Sequence, residues 1–208
     1  MELDVHMPKP GKTATHWLLE GLFIVISVTL GFGVAQYRES RANHELAARV
    51  LNSLQAEVEH NRATLEPFVP RHATWAEALL KADPSKGTQN GFEVFIATRP
   101  PGGNLNFPFL RRSAWDAAVS GGTLRLIDYD VAAALSDIYV TQAIVTGNVE
   151  RLVSGPFSST ATFEPASRAA SVRMLWLTMA DIQSSEASLV DLYRKHLPAI
   201  RAAANDGH

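Results

Sequence analysis

The residues with most capacity for chemistry lie between Ser113 and Gln142, in SAWDAAVSGGTLRLIDYDVAAALSDIYVTQ. Trp115, Asp116, Gly121, Asp128 and Tyr139 fall there, two aromatic rings among carboxylates. An aromatic wall with a few convergent polar groups is what a small-ligand pocket requires. The same residues also have a purely structural reading. Trp115 and Tyr139 serve as large core side chains, Gly121-Gly122 as a backbone corner with positive φ, and Asp128 as a helix cap. Arg111 and Arg112 add positive charge beside the group, although adjacent arginines are more often a solvated pair than an anion site.

Other chemistry-bearing patterns fall short of a working spacing. Gly11-Lys12-Thr13 ends like a phosphate-binding loop, but His6 stands where that loop needs its first glycine. His44-Glu45 starts like a zinc-protease helix, yet Ala48 occupies the second ligand position. Ser120, in VSGG, lacks the leading glycine of a nucleophile elbow. His60, His72 and His196 are scattered, with no outer partners in view to orient them as ligands. Cysteine is absent, which removes disulfides, thiolate metal sites and cysteine nucleophiles. No catalysis, metal or cofactor is therefore expected.

The elements that must position these residues begin with an anchor. Trp17–Tyr37 reads WLLEGLFIVISVTLGFGVAQY, with Glu20 as its one ionisable residue expected to be charged. At 1.5 Å per residue, about 20 residues cross a hydrocarbon core of roughly 30 Å. Trp17 and Tyr37 suit its two interfaces, and Glu20 lies one turn inside, where it can snorkel. A cleaved signal peptide would have a shorter apolar region, and a core helix would be shorter or carry a polar stripe. Gly31, Gly33 and Ala35 would admit a second membrane helix closely, though not at the four-residue spacing of a dimer motif. Lys9 and Lys12 nearly balance Arg38, Arg41 and Arg49, and the orientation adopted puts the N-terminus in the cytoplasm and the large domain outside.

With 208 residues, the chain has room for this anchor and one further domain. Apolar residues make up 46% and charged residues 19%, and the net charge of −2 provides no field for nucleic acid. The expected division is a tail over 1–16, a membrane helix over 17–37 and a helical domain over 38–208. Residues 38–66 form a long helix, because neither Gly nor Pro interrupts Arg38–Leu65. Leu51, Leu54, Val58 and Asn61 lie on its apolar stripe, to be buried in the chain's own domain or used for assembly with another helix.

Further along, a short helix is expected near His72–Lys81, an irregular segment over 83–112 with a strand at Phe92–Ala97, and a helix over 113–120. Thr123–Ile127 reads as extended. A helix over 128–154 follows, capped by Asp128 or Asp130 and carrying Val131, Leu135, Ile138, Gln142, Val145, Val149 and Leu152 on one face. The region 164–204 is either one helix kinked near Pro198 or two, with Ser184 capping the second. The expected fold is mainly α, a bundle of about four helices beyond the anchor with a short irregular or β-containing segment.

LLEGLFIVISVTLGFGVAQYRESR, followed by a helix with His60-Asn61 near its end, resembles uncharacterised bacterial single-pass membrane proteins of the domain-of-unknown-function class. Ser113–Gln142 resembles their second hallmark: Trp, a small residue two further on, Ser-Gly, a short apolar stretch, then a helix containing Tyr. The resemblance covers about a third of the chain and implies a bacterial inner-membrane protein, but no reaction. The expected function is a membrane-tethered helical module that binds a protein partner or copies of itself, with the lipid bilayer as its other partner. The alternative is an extracytoplasmic sensor-like domain binding a ligand near Trp115. With so few residues before the span, it would signal through a lateral membrane partner.

Overall fold

The computed structural model describes residues 14–83, 86–101 and 107–206. The expected tail over 1–16 and Gly11-Lys12-Thr13 lie largely or wholly outside them. Among the described residues the chain is mainly helical and contains no strand. It divides into two units, Met1–Glu45 and Leu46–His208.

The first unit contains most of α1 (Ala14–Leu65). Its segment from Trp17 to Tyr37 is exposed throughout, and it is the one helix among the described residues long and apolar enough to cross a membrane. Ser27 and Thr29 donate their hydroxyls to the carbonyls of Phe23 and Val25, four residues back, so neither needs an outside partner.

The second unit is built from the end of α1 with α2 (Phe68–Lys81), α3 (Gly91–Ala97), α4 (Ser113–Ser120), α5 (Tyr129–Ser154) and α6 (Arg168–Asp206). Its apolar interior has two parts. One joins Leu54 and Val58 of α1 to Leu135 and Ile138 of α5 and to Leu189, Tyr193 and Ile200 of α6. The other joins Trp75 and Leu79 of α2 to Phe95 of α3, Leu152 of α5, and Leu175 and Met179 of α6. α5 and α6 run through both parts because their apolar positions recur at steps of three and four along their length.

The α1 stripe is consumed inside this fold. Leu51, Leu54, Val58 and Asn61 are all buried, Leu54, Val58 and Asn61 completely. Each buried aliphatic side chain contributes about 1.5–3 kcal/mol relative to exposure, so the stripe is held against α5 and α6 in the chain's own core.

Several sequence expectations need correcting. Phe92–Ala97 is helical, not a strand, because Asn90 and Glu93 form a reciprocal capping box. The Glu93 amide donates to Asn90 Oδ1 and the Asn90 amide donates to Glu93 Oε2, both at 2.9 Å. The Asn90-Gly91 pair is thus a helix start. Gly91 also lets α3 lie against α6, since a Cβ there would collide with the side chain of Ser171. Thr123–Leu126 is a 3₁₀ turn, not an extended piece. Its approach needs a left-handed residue, which Gly122 supplies at φ +63°, whereas Gly121 has φ −78°. Region 164–204 opens with the 3₁₀ turn Pro165–Ser167 and continues as the single helix α6, which passes through the exposed Pro198. Ser184 lies inside that helix and caps nothing.

Candidate functional site

The most developed polar arrangement is built on two residues one helical turn apart on α1, Glu57 and Asn61. Glu57 is buried, and its carboxylate sits at the N-terminus of α4. Oε2 accepts from the Ser113 hydroxyl at 3.0 Å and the Ala114 amide at 2.9 Å, while Oε1 accepts from the Trp115 amide at 3.3 Å. Arg112, at the cap position, offers no side-chain capping bond, so a carboxylate from another helix supplies the acceptors. The partial positive charge at a helix N-terminus favours that placement.

Tyr139 of α5 donates its hydroxyl to Glu57 Oε1 at 2.7 Å, and its ring stacks on Trp115 at 4.7 Å between centroids. Burial, then the hydrogen bond to Glu57 and its negative charge, push the Tyr139 phenol far above its ordinary value. At neutral pH Tyr139 is therefore protonated and donates to Glu57.

Asn61 grips the chain just before α4. Its Nδ2 donates to the Arg111 carbonyl at 2.7 Å and its Oδ1 accepts from the Arg111 amide at 2.8 Å. Gln142 of α5 donates to the same carbonyl at 2.8 Å, and its own oxygen accepts from Asn61 at 3.1 Å and from the Tyr193 hydroxyl at 3.3 Å. The Tyr193 phenol is also raised, by burial and then by the charge of Glu57. Every polar atom of Asn61 and Gln142 that faces this network has a partner, which is what a buried network needs to stabilise rather than strain the fold.

Of the five residues singled out between Ser113 and Gln142, the structure brings Trp115 and Tyr139 together. Asp116 is exposed and held by Arg112, whose Nη2 and Nε both reach it at 2.9 Å. That carboxylate keeps the Arg112 guanidinium above its ordinary value. Gly121 ends α4. Asp128 caps α5 by accepting from the amides of Asp130 and Val131. Beside the stack, a cleft of about 560 Å³ is lined by Arg111, Asp116, Tyr139, Gln142, Gly147 and Glu150 among others, with Phe109 exposed at its rim.

Glu57, Gln142 and Tyr193 were not singled out from the sequence. Gln142 carried a signal, as the polar member of an otherwise apolar stripe. Glu57 carried a weaker one, three residues after Leu54 and four before Asn61 on the same side of α1.

A second buried polar pair ties α2 to α6. His72 Nδ1 lies 2.8 Å from Glu186 Oε2, with both side chains buried. Phe68, Trp75 and Phe107 surround the imidazole, and Glu186 Oε1 has no hydrogen-bond partner among the described residues. His60 is exposed, His196 lies on α6, and among the described residues no three His, Cys, Asp or Glu side chains gather as metal ligands. The Ser120 hydroxyl donates to the Asp116 carbonyl of its own helix. Glu45 bonds Arg41 one turn away.

Comparison with protein-family models, with curated proteins and with solved structures gave no match.

Proposed function

We propose that the chain is a membrane-tethered helical module that holds a protein partner or a second copy of itself and catalyses no reaction. In this reading Trp17–Tyr37 of α1 crosses a bacterial inner membrane, with the body on the periplasmic side. The body is a bundle of four principal helices, the end of α1 with α2, α5 and α6.

The observation that carries the proposal is the pattern of exposed apolar side chains on the body. Phe109 is 84% exposed, and Val140 and Ile144, one turn apart on α5, are 60% and 51% exposed. Val140 and Ile144 share one face of α5, and contiguous apolar surface marks interaction sites more often than scattered apolar residues do. The polar network of Glu57, Asn61, Tyr139 and Gln142 is internally satisfied, which suits a structural support.

The test is a photoreactive amino acid at Phe109, Val140 or Ile144 in the full chain, cross-linked in native membranes and recovered through a C-terminal affinity handle. A discrete adduct, with another protein or with a second copy, is expected at one or more of these positions. Absence of any protein adduct at all three, in a chain that melts normally, overturns the proposal.

A second reading is favoured by the cleft beside Tyr139, which offers both charge signs, Arg111 and Glu150, over an aromatic and amide floor. A sensor-like domain would take its ligand there and pass the signal to a neighbouring membrane protein. Changes in Trp115 fluorescence and melting temperature across a metabolite panel would support it, and invariance of both would remove it.

A further inference from the structure

On another part of the body, the C-terminal end of α2 and the N-terminal end of α6 border a groove of about 610 Å³. Leu79, Leu80 and Ala82 form one side, and Ala169, Ala170, Val172 and Trp176 the other, with Arg173 as the only charged residue lining it among the described residues. Leu80 is 60% exposed, and Met174 and Leu177 extend the apolar surface along α6. Arg173 is exposed and has no acidic partner among the described residues, unlike Lys81 and Lys86, which pair with Glu77 and Asp83.

We propose that this groove binds a single-chain anionic amphiphile, its acyl chain along Leu80 and Trp176 and its carboxylate or phosphate on Arg173. Two independent features fix the sign of the headgroup. A guanidinium matches the paired oxygens of a carboxylate or phosphate. α6 also carries no acidic residue in its first turn, where the helix dipole favours an anion, and Ala169 and Ala170 of that turn line the groove.

The groove's shape favours an acyl chain over a partner helix. A docked helix anchors side chains over two or more turns and needs walls of that length on both sides. Here α2 ends at Lys81, so its wall is a single turn, Leu79–Ala82. An acyl chain needs no periodic anchors, and the volume lies within the usual range for small-ligand sites, about 300–1,000 Å³.

The experiment uses the full chain in lipid nanodiscs with three diazirine probes: palmitic acid, a lysophosphatidic acid and the uncharged palmityl alcohol. Labelled peptides are then mapped by mass spectrometry. Label from the two anions is expected on the peptides containing Leu79–Ala82 and 169–176. Arg173→Ala should lower that label roughly tenfold, the factor of one charge-assisted hydrogen bond, and leave the alcohol's labelling unchanged. Ala170→Trp, which fills the groove while Arg173 is kept, should remove label from all three probes. Preference for palmitic acid assigns a fatty acid, and preference for the lysophosphatidic acid assigns a phospholipid headgroup. Label confined to Trp17–Tyr37, label indifferent to Arg173→Ala in a chain with unchanged melting, or groove cross-links to a co-purifying protein would each overturn the proposal. None of these outcomes depends on whether Phe109, Val140 or Ile144 contacts a partner.

Discussion

Asn61 hydrogen-bonds both the amide and the carbonyl of Arg111, fifty positions along the chain, through one side-chain amide. This pairing imitates a rung of β-ladder and fixes the segment before α4 against α1. Removing it with Asn61→Leu leaves a part-buried amide unpaired, and the carbonyl keeps only Gln142. A loss of about 1–3 kcal/mol is expected, the cost of an unsatisfied backbone group. Thermal melting of the solubilised chain, followed by circular dichroism, measures it. A melting temperature unchanged within error would show that the segment is not held in this way.

Glu57→Ala removes the acceptors from the first turn of α4 together with the partner of Tyr139. The expected cost is about 2–4 kcal/mol, a lost cap plus a buried phenol without its acceptor. Glu57→Gln keeps one acceptor oxygen and should lie between the variant and the native chain. Hydrogen exchange is the more specific readout, because protection should fall over Ser113–Ser120 before it falls over α5.

Breaking the contact of His72 and Glu186 by Glu186→Ala is expected to cost about 1–3 kcal/mol, that of a buried imidazole nitrogen left without its partner. Replacing both, with His72→Phe and Glu186→Leu, should cost much less than the sum of the two single changes. A double-mutant cycle in urea gives the coupling directly. Additive single effects would mean that the two side chains do not interact in solution.

Glu59 and Glu66, on α1, have their carboxyls lowered below the ordinary 4.5, chiefly by hydrogen bonds from Arg201 and Arg194 of α6. A carboxyl lowered in the folded state adds stability above its unfolded value, and that stability disappears as pH falls through the lowered one. The double variant Glu59→Gln, Glu66→Gln should therefore be slightly less stable than the native chain near pH 7. The gap should close as pH drops below about 4.5, and salt should narrow it at neutral pH because the pairs are exposed. Parallel stability curves across that range would contradict the assignment.

Leu54→Asp should unfold the body rather than merely weaken assembly, because Leu54 is fully buried inside the chain's own core. An uncompensated carboxylate there costs several kcal/mol. Loss of cooperative melting is expected, whereas a folded monomer would place the side chain at an intermolecular surface.

These cases also show what the sequence could and could not reveal. The face of α5 from Val131 to Leu152 was legible because steps of three and four leave a helix as the natural reading, and Asp128 announced its start. Phe92–Ala97 was not legible: a six-residue apolar run fits a strand or a buried helix, and only the reciprocal bonds of Asn90 and Glu93 decide. The grip of Glu57 on α4 joins residues 56 to 58 positions apart, so no local pattern encodes it. Nor could spacing tell whether the stripe around Leu54 would be covered by this chain or by another.

The missing side chain at Gly91 has a consequence for how this body tolerates change. α3 is held to α2 by the bond from the Trp75 indole to the Phe95 carbonyl, and to α6 by contact at Gly91. Adding even a methyl at Gly91 forces α3 away from Ser171, and the carbonyl that satisfies the buried indole moves with it. A change of a few atoms at this buried position would therefore be felt at the second hydrophobic centre, making position 91 a spacer whose thickness sets the fit of the layers around it.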